Sequence, residues 1–388
     1  MVEVDYGLTE TQLEIRNIMR QFAEERVKPV RAELDEKEEF PRELLDELGR
    51  MDMMGLYIPE EYGGFGGSTL DFCIAVEELS RACIGVSVSF AANALGTYPL
   101  LFAGSEELKK KYLPEIASGR KLVSFALTEP NAGSDAAAIQ TTAVRKGDKY
   151  ILNGTKQWIT NGGEADLYSV IALTDKTKGP RGASFFLVEK GMPGFSFGKK
   201  EKKLGIRCSA TRELIFEDCE VPAENIIGRE GMGFMLAMKT FDQSRPGIGA
   251  QGVGLTQACL DEAVEYARHR VQFGKPIIAN QAIQHILADM ATKLEAARAL
   301  VYAACRTIDR GGKGVSKIAA MAKTFATDVA MEAAINAVQV FGGYGYMREY
   351  PVEKMLRDAK ILQIYEGTNQ IQRNIIGQAL IKEYAARK

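Results

Sequence analysis

The chain changes its hydrophobic period twice. Up to about residue 120 apolar positions recur at helical spacing. Ile15, Ile18, Met19 and Phe22 follow a capping box formed by Thr9 and Gln12, and Leu44, Leu45 and Leu48 continue the pattern. A glycine-rich break, EEYGGFGG (60–67), precedes a helix predicted over about 70–82. Behind it stands an almost uncharged stretch, 84–104, which reads both as a buried core helix and as the wall of an apolar pocket. From about 121 to 237 the runs shorten to strand length. In 141–160 they are separated by Lys146-Gly147-Asp148 and by Asn153-Gly154, and an Asn-Gly pair between apolar runs predicts a hairpin turn. Further strands are predicted at 167–173, 183–188 and 213–216. This spacing suggests a small antiparallel sandwich or barrel. From about 238 the helical period returns. Ile283, Ile286, Leu287, Met290, Leu294, Ala297, Val301 and Ala304 form one stripe, and Ile318, Met321, Ala322, Phe325 and Val329 lie on a second long helix after Gly314. Two long apolar-faced helices predict a bundle. The predicted domains are 1–120 (helical), 121–237 (strands) and 238–388 (helical), an α+β order that excludes an alternating doubly wound fold.

Composition narrows the function classes. The 388 residues are 46% apolar, and 49 basic against 51 acidic side chains leave a net charge of -2, so no basic excess recruits nucleic acid. The opening residues carry no apolar signal region, and no stretch reads as the roughly 18 uncharged apolar residues of a membrane helix. Six cysteines without a CxxC pair, beside only two histidines, argue against a structural zinc site and a disulfide scaffold. The expectation is a cytoplasmic protein without a metal, a nucleic-acid partner or a membrane insertion.

The 38 glycines invite a nucleotide reading, yet neither 228–233 (GREGMG) nor 342–345 (GGYG) completes a GxGxxG turn between strand and helix, and no P-loop or GxSxG elbow exists. Other segments carry more chemistry. FALTEPNAGSD (125–135) is a strand ending in a turn of short polar groups. WIT (158–160) holds the only tryptophan, with a Thr160 hydroxyl beside an aromatic face that suits a flat heteroaromatic ring. RVQFGKPIIANQ (270–281) places a cation, an aromatic ring and amides around a turn, where Arg270 can neutralise a pyrophosphate and Gln272 bond an adenosine. In QVFGGYGY (339–346) adjacent glycines permit close backbone approach. In RDAKILQIYEGTNQIQR (357–373), Glu366 either terminates a helix or, if Tyr365 and the apolar run bury it, gains proton affinity and serves as a base near neutral pH.

Taken in order, these segments resemble the acyl-CoA dehydrogenase family over essentially the whole chain. ALTEPNAGSD and QFGKPI…Q match its two diagnostic patterns, and IYEGTNQIQR matches its C-terminal active-site segment. The resemblance implies FAD in a cleft between the strand domain and the C-terminal bundle. Phe125, Leu127, Thr128 and Ser134 would line the isoalloxazine, and Trp158 and Thr160 would cover its other side. Arg270, Gln272, Phe273 and Gln281 would bind a neighbouring subunit's FAD, with Gln339 and Gly343 completing that site and Thr368 and Gln370 also touching cofactor. Sharing of this kind implies a homotetramer. Glu366 would abstract the α-proton of an acyl-CoA thioester while the β-hydrogen leaves as hydride to the flavin, giving the 2-enoyl-CoA. Asp242, Arg245, Tyr365, Gly367 and Ser134 would contact substrate. Some relatives carry the base near the position of Ser244, where this chain has no carboxylate.

The stretch 86–100 contains no charged residue, which disfavours a dicarboxylic substrate held by an arginine there and leaves neutral short- or medium-chain, branched or alicyclic acyl groups. Phe125 stands where some members carry tyrosine. Electron-transfer flavoprotein is the expected acceptor. An acyl-CoA oxidase of the same fold, or a non-catalytic flavin- and CoA-binding homologue, are the competing readings.

Overall fold

The computed structural model describes residues 4–386. Six helices open the chain: α1 (Glu10–Phe22), α2 (Arg31–Lys37), α3 (Arg42–Arg50), α4 (Thr69–Ala82), α5 (Ile84–Ala103) and α6 (Glu106–Ala117). Two begin with the reciprocal cap that satisfies orphan backbone donors. Gln12 N–H donates to the Thr9 hydroxyl at 3.2 Å, and Asp71 N–H to Ser68 at 3.2 Å. On α1 the predicted face is buried at Ile15, Met19 and Phe22, whereas Ile18 lies outside it. The uncharged stretch forms α5, and both readings of it hold: most of it is core, and Val88, Ala91, Ala92 and Leu95 line a cavity. It corrects one expectation, since α5 is long and apolar enough to cross a membrane, although 72% of its span is buried inside the protein.

The strands are β1 (Val123–Ala126), β2 (Thr142–Lys146), β3 (Lys149–Thr160), β4 (Leu167–Leu173), β5 (Ala183–Glu189), β6 (Phe195–Lys200), β7 (Thr211–Pro222) and β8 (Ile226–Ile227). They pair in the order β6-β7-β3-β2-β4-β5-β8, with β1 added on β4. The expected all-antiparallel arrangement is therefore a mixed sheet: β1 runs parallel to β4, Val123 opposite Leu167, because the β2–β3 hairpin intervenes and carries the chain back. That hairpin turns at Gly147-Asp148, as its Lys-Gly-Asp signal predicts. The Asn153-Gly154 turn does not exist. β3 continues through it, with a register shift against β7 between Leu152 and Gly154. Gly154 sits at φ 143°, and a Cβ there would meet the Thr141 Oγ at 2.6 Å and its Cα at 2.7 Å. The glycine serves a bulge rather than a hairpin.

The chain then returns to helices: α7 (Gly233–His269), α8 (Gln281–Asp309), α9 (Val315–Phe341), α10 (Val352–Leu362) and α11 (Asn369–Ala385). A two-strand ribbon, β9 (Val271–Gln272) and β10 (Lys275–Pro276), separates α7 from α8. The predicted stripe on α8 is buried from Leu287 to Ala304, whereas Met321 and Phe325 of α9 face outward. Helices α7 and α9 approach so closely that a Cβ on Gly252 would meet the Ala326 carbonyl at 2.7 Å. This packing places the residues between them out of reach of water.

Candidate active site

Two cavities, of about 400 and 600 Å³, meet where the ends of β1 and β3 face the turn between α10 and α11. Thr128, Gly133, Ser134, Trp158 and Thr160 border both from the sheet side, and Tyr365, Glu366 and Gly367 border both from the turn. One cavity runs along Val88, Leu95, Phe241 and Ile248 and is largely apolar. The other is rimmed by Lys202, Lys203 and Lys360 and reaches Thr368. Phe125 and Leu127 line the apolar arm, where the Phe125 ring packs against Phe241 at 5.5 Å.

A local irregularity presents the tryptophan. The β3–β7 register slips between Lys156 and Ile159, and Trp158 takes φ 56°, a conformation that costs a bulky residue on the order of 1–3 kcal/mol. Its side chain is 59% exposed to the cleft. The neighbouring Gln157 N–H donates to the Thr128 carbonyl at 2.8 Å and ties the two walls together.

Glu366 occupies an equally strained turn, with φ 52° and Gly367 at φ 90°. Its carboxylate accepts a hydrogen bond from the Ser244 hydroxyl at 2.5 Å. Gln372 Nε2 donates to the Glu366 and Gly367 carbonyls at 3.1 and 3.0 Å, and Arg245 Nε to the Glu366 carbonyl at 3.5 Å. Arg245 is itself paired with Asp242 at 3.2 Å. The Glu366 N–H has no acceptor among the described residues. Burial pushes the Glu366 carboxyl above its ordinary value, against the opposing pull of the Ser244 hydrogen bond and of the Arg245 and Lys323 charges. The side chain is half-buried in surface terms, because the cavity reaches it, but protein mass encloses it on the remaining sides. The arrangement is a desolvated carboxylate at the meeting point of an apolar arm and a polar one, beside an open aromatic face and a free backbone donor. It can take a proton from a carbon acid whose developing charge the donor stabilises.

A third cavity, of about 480 Å³, holds Arg270, Gln272 and Gly343 and shares no lining residue with the other two. The Arg270 guanidinium lies over the Tyr344 ring at 5.2 Å. Phe273, at the ribbon tip, is 99% exposed with φ 52°. Gln281, Gln339 and Gln370 are also exposed. The candidate residues thus fall into two sets, one around Glu366 and one around Arg270. Thr368 belongs to the first, where its hydroxyl caps α11 by accepting from Ile371 N–H at 3.3 Å. Sequence reasoning passed over Gln372 and Lys323, and it saw Ser244 only as a position without a carboxylate. A polar side chain on a helix carries no signal that it turns inward beneath a loop.

The comparisons decide the family. Its models match three consecutive blocks, the acyl-CoA dehydrogenase N-terminal domain over residues 9–120, the middle domain over 124–219 and the C-terminal domain over 231–381. The chain belongs to the acyl-CoA dehydrogenase family. It is 50% identical over 375 residues to an acyl-CoA dehydrogenase of Bacillus subtilis (strain 168), covering 96% of this chain and 99% of that one. Its fold matches butyryl-CoA dehydrogenase from Megasphaera elsdenii with a TM-score of 0.95 at 47% identity, over 97% of this chain and 100% of the other. A chain from a structure described as the electron transferring flavoprotein of Acidaminococcus fermentans, concerned with flavin-based electron bifurcation, matches at 0.95 and 52% identity over 97% and 99%. As a member of this acyl-CoA dehydrogenase family the protein is an FAD-dependent oxidoreductase of acyl-CoA metabolism. The residues present fit the cofactor: the exposed Trp158 face offers a platform for a flat ring, with the Thr128 and Thr160 side chains beside it.

Proposed function

We propose that the protein removes the α and β hydrogens of a short, uncharged acyl-CoA thioester and passes the electrons to an electron-transfer flavoprotein. One observation carries the reading: Glu366, raised in proton affinity by burial, stands at the seam of the two cavities. Glu366 takes the α-proton, Ser244 holds its carboxylate in place, and the unpartnered Glu366 N–H is available to the thioester oxygen. FAD, when bound, accepts the hydride. Thr128, Ser134, Trp158, Thr160 and Thr368 would hold its ring system and sugar chain. In this reading the chain is a homotetramer, and Arg270, Gln272, Phe273, Gln281, Gln339, Gly343 and Gln370 serve a neighbour's FAD. The fully extended exposure of Phe273 and the outward Met321 and Phe325 support an assembly that covers them.

A short acyl chain is favoured by the wall of the apolar arm. The Tyr365 hydroxyl donates to Gln251, which is fully buried one turn beyond Ile248, so this ring is pinned by a polar pair. An acyl chain long enough to displace it would strand both polar groups, at a cost of roughly 1–3 kcal/mol each. Among the described residues the charged side chains on that arm are Asp135, Arg245 and Glu366, and Arg245 is already engaged by Asp242. A distal carboxylate would find no free cation. Anaerobic flavin bleaching with butyryl-, hexanoyl-, octanoyl-, isobutyryl-, cyclohexanecarboxyl- and glutaryl-CoA tests the reading. Fastest bleaching with butyryl-CoA and none with glutaryl-CoA is expected. Preference for octanoyl-CoA would overturn the chain-length assignment, and reduction of oxygen in place of electron-transfer flavoprotein would overturn the acceptor.

A further inference from the structure

Lys323 lies on α9 directly beneath the catalytic turn, with no exposed surface. Its ammonium donates to the Gly367 carbonyl at 3.0 Å and to Asn369 Oδ1 at 2.7 Å. No carboxylate of the described residues stands within ion-pair distance of it, nor any described cation within that distance of the Glu366 carboxylate. The other charges in the neighbourhood are spoken for. Arg245 of α7 pairs with Asp242, and Asp242 also accepts from Ser316. Asp328 of α9 pairs with Arg373 of α11 at 2.7 Å and accepts from Gln363 and Asn369, each at 2.7 Å. Glu366 and Lys323 are left without an ion-pair partner, and Lys323 grips the carbonyl of Gly367, the residue that follows Glu366. Two unpaired opposite charges in a dry region stabilise each other at a distance, since little water screens them.

We propose that Lys323 is a positioning residue for Glu366: it fixes the turn through the Gly367 carbonyl and adds its positive charge to that of Arg245 on the buried side of the base. The proposal rests on the reading of Glu366 as the base. It accounts for a buried lysine that touches neither cavity. It also explains why the strained geometry at Glu366 and Gly367 persists, since three donors, from Lys323, Gln372 and Arg245, grip its two carbonyls. The coupling is reciprocal. Burial pulls Lys323 down to about 7, with the Glu366 charge pulling it back up and Arg245 pushing it further down. An ionised Glu366 therefore favours a protonated Lys323.

The sign of the effect follows. Removing a cation near a carboxylate makes the ionised form less favourable, so the proton affinity of Glu366 rises and the acidic limb of the activity profile moves to higher pH. For an opposite charge beyond ion-pair contact but weakly screened, the shift is on the order of one pH unit, a roughly tenfold loss of rate at pH values below the limb. The test is the pH dependence of kcat/KM and of anaerobic flavin reduction by butyryl-CoA in the FAD-loaded Lys323→Met enzyme. Lys323→Gln, which keeps an amide donor and removes the charge, serves where the methionine variant does not assemble. Propylammonium added to Lys323→Ala provides the rescue arm. The expected result is an upward shift of the limb in the neutral variants, reversed by the added ammonium, with KM little changed. An unmoved limb in a folded, FAD-loaded neutral variant would overturn the proposal while leaving Glu366 as base. Retained flavin reduction in Glu366→Gln would instead overturn the base itself.

Discussion

Among the described residues two lysines are wholly buried, and each sits behind one wall of the cleft. Lys156, on β3, donates to the Leu127 carbonyl at 3.0 Å and is paired directly with Glu129 at 2.7 Å. Lys323 donates to the Gly367 carbonyl and has no such partner. Burial lowers both, Lys156 to about 8 and Lys323 to about 7. Glu129 resists its own burial because Lys156 and the Gln140 and Thr141 N–H groups favour its ionised form, and its carboxyl ends below the ordinary value. The first lysine is neutralised locally and holds a wall. The second is left with its charge beside Glu366, the proposed base, which on that reading changes its protonation during turnover. On the proposed reading, the same residue type, at the same depth, serves rigidity in one place and the proton affinity of a neighbour in the other.

The comparison can be broken at several points. The largest effect is expected on the catalytic side. Glu366→Gln should bind FAD and thioester yet lose at least the order of 10²–10⁴ in flavin reduction, as removal of a general base does. In the wild type, activity should rise with pH through a limb above the ordinary carboxylate value of 4.5, since burial raises Glu366 and only the ionised form accepts a proton. Next comes Lys156→Met, which strands the Glu129 carboxylate and should cost about 3–5 kcal/mol of unfolding free energy. Denaturant titration reads this loss. The additional change Glu129→Leu should recover much of it, and the pH limb should stay where it was. A limb that moved with Lys156 would erase the distinction between the two lysines. If Arg270 serves a neighbour's FAD as proposed, Arg270→Ala removes one charged contact to it, worth roughly 1.5–3 kcal/mol, and should appear as FAD lost on gel filtration. Smallest is Gly154→Ala, where the new Cβ meets Thr141 backbone at positive φ and should cost about 1–3 kcal/mol, measured as a lower Tm with chemistry unchanged.

The fold was legible where one physical rule acted alone. Helical period with a capping box placed α1, and the apolar run 167–173 coincides with β4, because burial of one face dictates the first and burial of both faces the second. Rules in competition were not legible. Asn153-Gly154 has the local chemistry of a hairpin, yet β7 continues alongside β3 and tertiary pairing converts the pair into a bulge. The parallel β1–β4 pairing has no local signature, since strand order depends on segments far apart in the chain. For the site, the family resemblance of their motifs pointed to Glu366, Thr128 and Trp158, which line the same two cavities, and to Arg270, which lines a separate one. Lys323 could not be found this way, because a lysine in an amphipathic helix reads as a solvated position until the turn above it is folded.

The central claim, that Glu366 removes the α-proton, is tested most directly without any net oxidation. Proton NMR of butyryl-CoA in D₂O with the holoenzyme and no electron acceptor follows wash-out of the α-hydrogen beyond the single turnover. Wild type should exchange it, faster above the acidic limb than below, and Glu366→Gln should bind the thioester and leave the hydrogen in place. Undiminished exchange in that variant would contradict the account.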